Sequence, residues 1–368
     1  MLTSIGHSPQ PPLVSIIINN YNYGCFLNEA INSALNQTYI HVEVIAVDDG
    51  STDNSQDIIT SYGNRIIPVL KENGGQASAL NAGFAVIKGD IVIFLDADDV
   101  LLPNIVQRVV TVFQTKPDLA KVQYRLQVID VKSVATGEVF PDVKYMLNGD
   151  LRQRILKFHR YTWPPTSGNA FAAPIIHQIL PMPEALYQVS ADEYLNNLSI
   201  MFGSIVSLNE VGALYRVHGK NNYYQAKRLI ELEKLRQILL RTVEVRNKQR
   251  DIFNSLYFNK IREVGVWDLI DLKERVVSLK LAPLNHTFKE NLLSLCVRGC
   301  ISSMISPELR WRGRALFIFW FMAMLFVPKL IAKPLTEQLL YPEQRKQLIE
   351  QIFSSIQTKI ISIYKGKQ

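Results

Sequence analysis

The sequence predicts an α/β fold, a doubly wound and mainly parallel sheet, followed by a helical C-terminal region. Three observations predict it. Short apolar, β-branched runs alternate with stretches of helical spacing through residues 13–95. Polar residues cluster where those runs end, the edge at which open α/β sheets bind ligands. From Ala226 onward, apolar residues recur at three- and four-residue intervals among Glu, Lys and Arg.

The first strand is Leu13–Asn19, introduced by Pro11 and Pro12, and Phe26 to Leu35 has helical spacing. Val42–Val47 is a second strand that stops at Asp48-Asp49-Gly50-Ser51, with a short helix from Asp53 to Tyr62. Ile66–Leu70 is a third strand, Gln76 to Ile87 an Ala-rich helix, and Ile91–Leu95 a fourth strand ending at Asp96. Strands this continuously apolar are covered on both faces, and parallel neighbours require right-handed helical crossovers. After Pro103 the alternation weakens. Val122–Val131 reads as a strand, Gly137 to Gly149 as irregular, and Trp163 to Asn169 as a loop. Ser204–Leu208 and Ala213–Val217 are two short strands. Leu229, Leu232, Leu235, Leu239 and Val243 then mark a long amphipathic helix, which places a boundary near Asn221–Gln225. The expected organisation is an N-terminal extension over 1–12, a nucleotide-binding domain over 13–224 and a helical region over 225–368.

Apolar residues make up 48% of the 368, enough to bury a substantial core and to exclude a disordered chain. Forty basic against thirty-three acidic residues give +7, which fits an anionic partner without choosing among nucleotide, lipid headgroup and nucleic acid. The basic residues form no stripe interleaved with aromatics, so nucleic-acid binding is not expected. Cys25, Cys296 and Cys300 have neither an even count nor CxxC spacing, and read as reduced thiols of a cytoplasmic protein. Met1 to Pro12 lacks the basic start and apolar run of a secretory signal.

The strongest chemical feature is Asp96-Ala97-Asp98-Asp99 at the end of the fourth strand. Three carboxylates repel one another there unless a cation compensates, and hard oxygen ligands suit Mg²⁺ or Mn²⁺, which also binds diphosphate. The competing reading, that Asp99 caps the helix after Pro103, accounts for one of the three. Asp49 at the second strand's end is placed either to accept hydrogen bonds from a base or ribose, or simply to shape a Gly-Ser turn. Asn73-Gly74-Gly75-Gln76 lets backbone N–H groups approach an anion at a helix start, while Gly83 serves that purpose or close helix–sheet packing. No Walker A loop, GxGxxG or GxSxG is present. Asp192-Glu193 is either a catalytic carboxylate or a first-turn acid, and His218 either a ligand or a packed side chain.

Taken in order, Val14-Ser-Ile-Ile-Ile-Asn-Asn-Tyr-Asn22, Val47-Asp-Asp-Gly-Ser-Thr-Asp53, Asn73 to Gly83, Leu95-Asp-Ala-Asp-Asp99, Ala191-Asp-Glu-Tyr-Leu195 and Tyr215-Arg-Val-His218 resemble glycosyltransferase family 2, inverting enzymes of the GT-A fold. The resemblance covers residues 13–220. It implies that Asn19 and Tyr21 lie against the base, that Asp49 binds base or ribose, and that Asn73, Gly75 and Asn81 belong to the donor site. It further implies that Asp96 and Asp98 form a DXD motif holding Mn²⁺ or Mg²⁺, with His218 as an additional ligand and Asp192 as general base. Gly168 and Asn169 lie where the family lines its sugar pocket. Two departures stand out: Asn19-Asn20-Tyr21-Asn22 replaces the usual Pro-Thr-Tyr-Asn, and Ala191-Asp192 replaces Glu-Asp.

The implied reaction moves a sugar from a nucleoside diphosphate sugar, UDP being the expected nucleotide, to a hydroxyl of a glycan or lipid-linked glycan. A nucleotidyltransferase uses similar carboxylates, but the late Asp-Glu and Arg-Val-His elements favour sugar transfer. A non-catalytic carbohydrate- or lipid-binding module would be expected to lose Asp96, Asp98 or Asp192, and all three are present. Ala315 to Val327 has thirteen residues without a polar side chain, preceded by Arg310, Arg312 and Arg314 and followed by Lys329 and Lys333. As a helix it reaches roughly 20 Å, short of a hydrocarbon core of roughly 30 Å. The segment 310–333 is therefore expected either to pack against protein or to lie in a membrane interface, with its cations toward headgroups on the cytoplasmic face.

Overall fold

The computed structural model describes residues 10–221 apart from 117, 159, 160 and 220, short stretches between 239 and 255, and residues 269–340 apart from 287, 307 and 308. Residues 1–9, the boundary at 222–225 and most of the amphipathic helix expected over Leu229–Val243 lie outside the described residues. The chain divides into two compact units, one of residues 1–222 with 245–264 and one of residues 223–244 with 265–368.

The first unit opens with β1 (Val14–Asn20), α1 (Gly24–Leu35), β2 (Val42–Asp49), α2 (Ser55–Ser61), β3 (Ile67–Lys71), α3 (Gln76–Phe84) and β4 (Ile91–Asp96). The four strands pair in parallel, in the order β3-β2-β1-β4. Ile16, Ile17 and Ile18 of β1 are all fully buried, so successive residues on opposite faces both meet protein. Each such side chain contributes about 1.5–3 kcal/mol relative to exposure. On one face α3 sits close because residue 83 is glycine: a Cβ there would stand 2.5 Å from Ile17 Cγ2 and 2.9 Å from Val47 Cγ2.

Beyond β4 the sheet changes character. After β5 (Val100–Leu101) and α4 (Ile105–Thr115) come β6 (Leu119–Ile129), β7 (Ala135–Phe140) and α5 (Arg152–Phe158). Next are β8 (Asn169–Ala172), α6 (Ala173–Ile179), α7 (Ala191–Ser199) and β9 (Ser204–Arg216). The sheet continues β4-β8-β6-β9-β5, with β7 on β6, and most of these pairings are antiparallel. The parallel half is thus as expected, and the second half is mixed. Gly137 to Gly149 is not wholly irregular, because β7 forms a hairpin with β6. The two short strands expected around 204–217 are one strand, whose pairing with β6 jumps from Leu208 to Val211 and then to Ala213. Bulges thus absorb residues that read as a break. α4 begins at Ile105 with Asn104 before it, so Asp99 does not cap it.

The second unit is helical: α8 (Leu269–Leu281), α9 (Leu292–Ile305), α10 (Trp311–Phe326) and α11 (Lys329–Leu340). Leu272, Val276, Leu295, Cys296, Trp320, Phe321 and Met324 form its core. Residues 320, 321 and 324 share one face of α10, so that face is packed. The opposite face carries Phe319 and Phe326, 68% and 79% exposed, and Met322. Along α9, Leu293, Val297, Ile301 and Met304 repeat at helical spacing and are also exposed. Among the described residues no helix is long and apolar enough to cross a membrane.

Candidate active site

β8 leaves β4 after Ile93, so Phe94–Asp96 lose their partner on that side. A turn at Thr166–Gly168 fills the gap. Ser167 Oγ accepts from the Asp96 N–H at 3.1 Å and donates to Asp99 Oδ2 at 2.6 Å. Asp99 Oδ1 accepts from the Arg216 N–H at 3.0 Å, so the third carboxylate of the motif is buried and internal. Arg216 is itself fully buried. Its Nε donates to the Asp98 carbonyl at 2.8 Å, its terminal nitrogens reach Ser133 and Glu29, and its guanidinium lies 4.8 Å over the Phe26 ring.

Asp96 and Asp98 face different partners. Asp96 Oδ1 accepts from Asn19 Nδ2 at 3.0 Å and from Gln76 Nε2 at 3.4 Å. Asp98 Oδ2 lies 2.9 Å from His218 Nε2 and accepts from Asn221 Nδ2 at 3.3 Å. The His218 ring is wedged between Tyr23 and Phe26, each 5.2 Å away between centroids. Asp96 keeps a strip of surface open to the crevice, yet desolvation, then Asp98 and Asp192, push its carboxyl up to about 7 against the lowering bond from Asn19. Desolvation and the same acid turn raise Asp99 well above the ordinary range. The Tyr23 phenol is raised by burial and by all three carboxylates, which places it beside them.

The general-base candidate approaches from α7. Asp192 lies in that helix's first turn, its Oδ2 at 3.4 Å from Trp163 Nε1 and its backbone carbonyl accepting from Asn196 Nδ2 at 2.7 Å. Burial raises its carboxyl. Gln76 joins the two sides of the crevice, because its Nε2 meets Asp96 while its Oε1 accepts from the Ala191 N–H at 3.0 Å. The motifs at residues 76, 96 and 192 therefore converge.

The remaining predicted residues occupy varied places. Tyr21 is 47% exposed at the end of β1, available to a flat ligand. Asp49 is buried, and its carboxylate accepts from Lys71 Nζ at 2.7 Å and from the Gly74 and Gly75 N–H groups at 3.0 and 2.7 Å. The glycine amides thus wrap the protein's own Asp49, while Asn73 Nδ2 donates to the Asp49 carbonyl. Gly75 has φ +86°, and a Cβ there would stand 2.9 Å from Gln188 Cα, so glycine is required on both counts. Asn81 clamps Met182 through both its N–H and its carbonyl, away from the acid turn. Gly168 packs on Pro164 and Leu126, and Asn169 Nδ2 donates to the carbonyls of Pro164, Pro165 and Thr166, so both brace the 164–169 turn. Sequence reasoning did not single out Gln76, Ser167, Tyr23 or Trp163. Gln76 and Ser167 stand beside residues that were named, but only the folded contacts give them roles.

A divalent cation suits this donor set. Among the described residues no three His, Cys, Asp or Glu side chains already surround one point, because Asp96 is held aside by Asn19 and Gln76. Asp98 and His218, however, present a carboxylate oxygen and an imidazole nitrogen 2.9 Å apart. Adjacent ligands at about 2.1 Å from an octahedral ion stand about 3 Å apart, so the pair is spaced for one.

An open α/β sheet with an acid turn at one strand end, joined through Gln76 to the helix that carries Asp192, is the frame of this site, and its relatives make the chain a transferase. The family described as Glycosyl transferase family 2 matches residues 15–166. An uncharacterized glycosyltransferase of Nostoc sp. (strain PCC 7120) is 40% identical over 218 residues, spanning 58% of this chain and 67% of the relative. One of Rickettsia prowazekii is 42% identical over 135 residues, covering 36% of this chain and 42% of the relative. Among solved structures, S. aureus TarS 1–349 in complex with UDP-GlcNAc superposes with a TM-score of 0.52 at 14% identity, covering 91% and 92% of the two chains. The chain belongs to glycosyltransferase family 2 and has the GT-A fold.

Proposed function

We propose that the protein is an inverting transferase that moves a sugar from a UDP-linked donor to a hydroxyl of a glycan or lipid-linked glycan. The observation that carries this reading is the bridge of Gln76 between Asp96 and the first turn of α7, which sets the acid turn and Asp192 on facing sides of one crevice. Tyr21 and Asn19 border the base end, and the complex of TarS with UDP-GlcNAc supports UDP as the nucleotide. Asp98 and His218, with Asp96 beside them, would hold Mn²⁺ or Mg²⁺, which supplies positive charge against the diphosphate. Asp192 accepts the acceptor's proton as the acceptor oxygen bonds to the anomeric carbon. The carbon–oxygen bond to the diphosphate breaks, and the diphosphate leaves with the electron pair. Attack from the face opposite the leaving group inverts the centre.

A panel of UDP- and GDP-sugars with Mn²⁺ tests this reading through thermal stabilisation and nucleotide release. One or more UDP-sugars should raise Tm and release UDP in the presence of a glycan acceptor. A panel in which only GDP-sugars do so would overturn the choice of nucleotide.

The exposed apolar faces of α9 and α10 support peripheral association with an anionic membrane, because Arg298, Arg310, Arg312, Lys329 and Lys333 flank them. A transferase at the cytoplasmic face would meet lipid-linked acceptors there. Full-length protein should float with phosphatidylglycerol vesicles, float poorly with phosphatidylcholine, and lose flotation in Phe319→Glu/Phe326→Glu. Protein that stays in the soluble fraction with both lipids excludes this association.

A further inference from the structure

Lys121 is fully buried near the start of β6, an unusual place for a side chain that burial strongly disfavours in its charged form. Its Nζ meets Gln123 Oε1 at 2.9 Å, Tyr161 Oη at 3.0 Å, and Asn196 Oδ1. Each of these groups is oriented as an acceptor by a bond on its other side. Gln123 Nε2 donates to Ser207 Oγ at 2.8 Å, Asn196 Nδ2 to the Asp192 carbonyl at 2.7 Å, and the Tyr161 hydroxyl to the Asn196 carbonyl at 3.2 Å. Three acceptors facing one nitrogen call for three protons, which only an ammonium carries. The faces of Tyr161 and Phe171, 5.3 and 5.7 Å from Nζ, add further attraction for a cation.

This cation sits directly behind the first turn of α7. Asn196 binds Lys121 with its carbonyl oxygen and the Asp192 backbone with its amide nitrogen, so one side chain links the ammonium to the residue read as the base. We propose that Lys121 is a positioning residue for the transfer reaction: its buried ammonium fixes the turn that carries Asp192 and keeps the Asp192 carboxylate ionised. The proposal rests on the reading of Asp192 as the base. Burial pushes the Lys121 ammonium down and the Asp192 carboxyl up, and each group's field opposes the shift of the other. The other titratable groups around the pair are Asp96 at the end of β4, whose like charge works against Asp192, Glu193 next to it on α7, and the Tyr161 phenol, which burial keeps neutral. Replacing a whole buried polar cluster by packed apolar groups is often neutral or stabilising, whereas removing Lys121 alone strands the Gln123, Tyr161 and Asn196 oxygens. Stability alone thus does not call for a charged cluster here, and its link through Asn196 to the turn of Asp192 points to a role in the reaction.

The test uses the full chain labelled with [¹³Cε,¹⁵Nζ]-lysine, the Lys121 signal being assigned by its loss in Lys121→Met. If that variant does not fold, the displacement of the signal in Tyr161→Phe assigns it. Lys121 should be an ammonium at pH 7, and Asp192→Asn should lower its titration midpoint by about one pH unit. A free amine at pH 7, or a midpoint unmoved by Asp192→Asn, would overturn the proposal. On the sugar nucleotide that the panel identifies, Lys121→Met should move the acid limb of turnover up by about one pH unit, with donor affinity within about twofold. Tyr161→Phe should move it by less in the same direction. A loss of turnover that is equal at every pH in both variants shows a structural role only and overturns the proposal. Full turnover in Asp192→Asn would instead remove Asp192 as base, and the two failures are distinguishable because the Lys121 signal is read without turnover.

Discussion

Asp192→Asn should lower kcat by about 10²–10⁴-fold while leaving affinity for the sugar nucleotide within about threefold. The amide keeps the shape of the carboxylate and its contact with Trp163 Nε1, but it cannot take a proton. Asp98 is held by His218 and Asn221 rather than by Asp192, so the acid turn should survive the change. The raised carboxyl pKa of Asp192 also suits a base better than that of an ordinary aspartate, because a stronger base pulls harder on a hydroxyl proton. The price is an acid limb: turnover should fall as pH drops through that raised value. Glu193→Gln is the companion measurement, since the next residue on a helix points about 100° away. Near-normal kcat in Asp192→Asn with collapse in Glu193→Gln transfers the role to Glu193. Loss of donor binding in Asp192→Asn makes Asp192 part of the nucleotide site.

The metal-free protein should lose stability as pH rises from about 4 to above 7, and a divalent cation should restore it. Asp96 is raised from 3.8 to about 7 in the fold, and Asp99 is raised as well. Between the two values the folded state holds protons that the unfolded chain has released, so stability decreases with pH across that window. Above it Asp96 is charged and is repelled by its acid neighbours. Manganese at pH 8 should therefore raise Tm by about 5 °C over an EDTA-treated sample. At pH 5 the gain should largely vanish, because the ion competes with protons. Asp98→Asn should abolish the gain at pH 8 and raise the Tm of the EDTA sample by removing one of the charges. A Tm independent of pH between 5 and 8 without metal, or an equal response to Mn²⁺ at both ends, would falsify this account.

The parallel half of the sheet was legible because each of its signals is local. Uninterrupted runs such as Ile16–Ile18 declare a strand covered on both faces, and Asp-rich ends declare the crevice edge. The mixed half was not, because its pairing depends on register between distant segments. β7 alternates weakly and is largely exposed, so Ala135–Phe140 carries no buried period to read. Asn209, Glu210 and Gly212 look like a turn in sequence, but the pairing with β6 absorbs them as bulges. At the site, Asp96, Asp98, Asp192 and His218 could be named because acids and a histidine at strand and helix ends are chemically conspicuous. Ser167 and Gln76 could not, since a serine and a glutamine acquire roles only through their contacts at Asp96. A lysine within a strand reads as surface, and only the burial of Lys121 and the acceptors around it show otherwise.

The buried guanidinium of Arg216 has a consequence for synthesis on the ribosome. It ties Glu29, Ser133 and the Asp98 carbonyl together across 187, 83 and 118 residues of chain. Strands β1, β2 and β3 pair with their neighbours in sequence, contacts that close early, and β4 then returns to β1. Asp96 finds Asn19 and Gln76 within that half, but the arginine and histidine that hold Asp98 and Asp99 lie more than a hundred residues further on. A nascent chain that stops before β9 can therefore build the parallel half of the sheet, yet it leaves Asp98 without His218 and Asp99 with Ser167 but without Arg216. Completion of the acid turn thus waits for the end of β9 and the residues just beyond it, Arg216, His218 and Asn221.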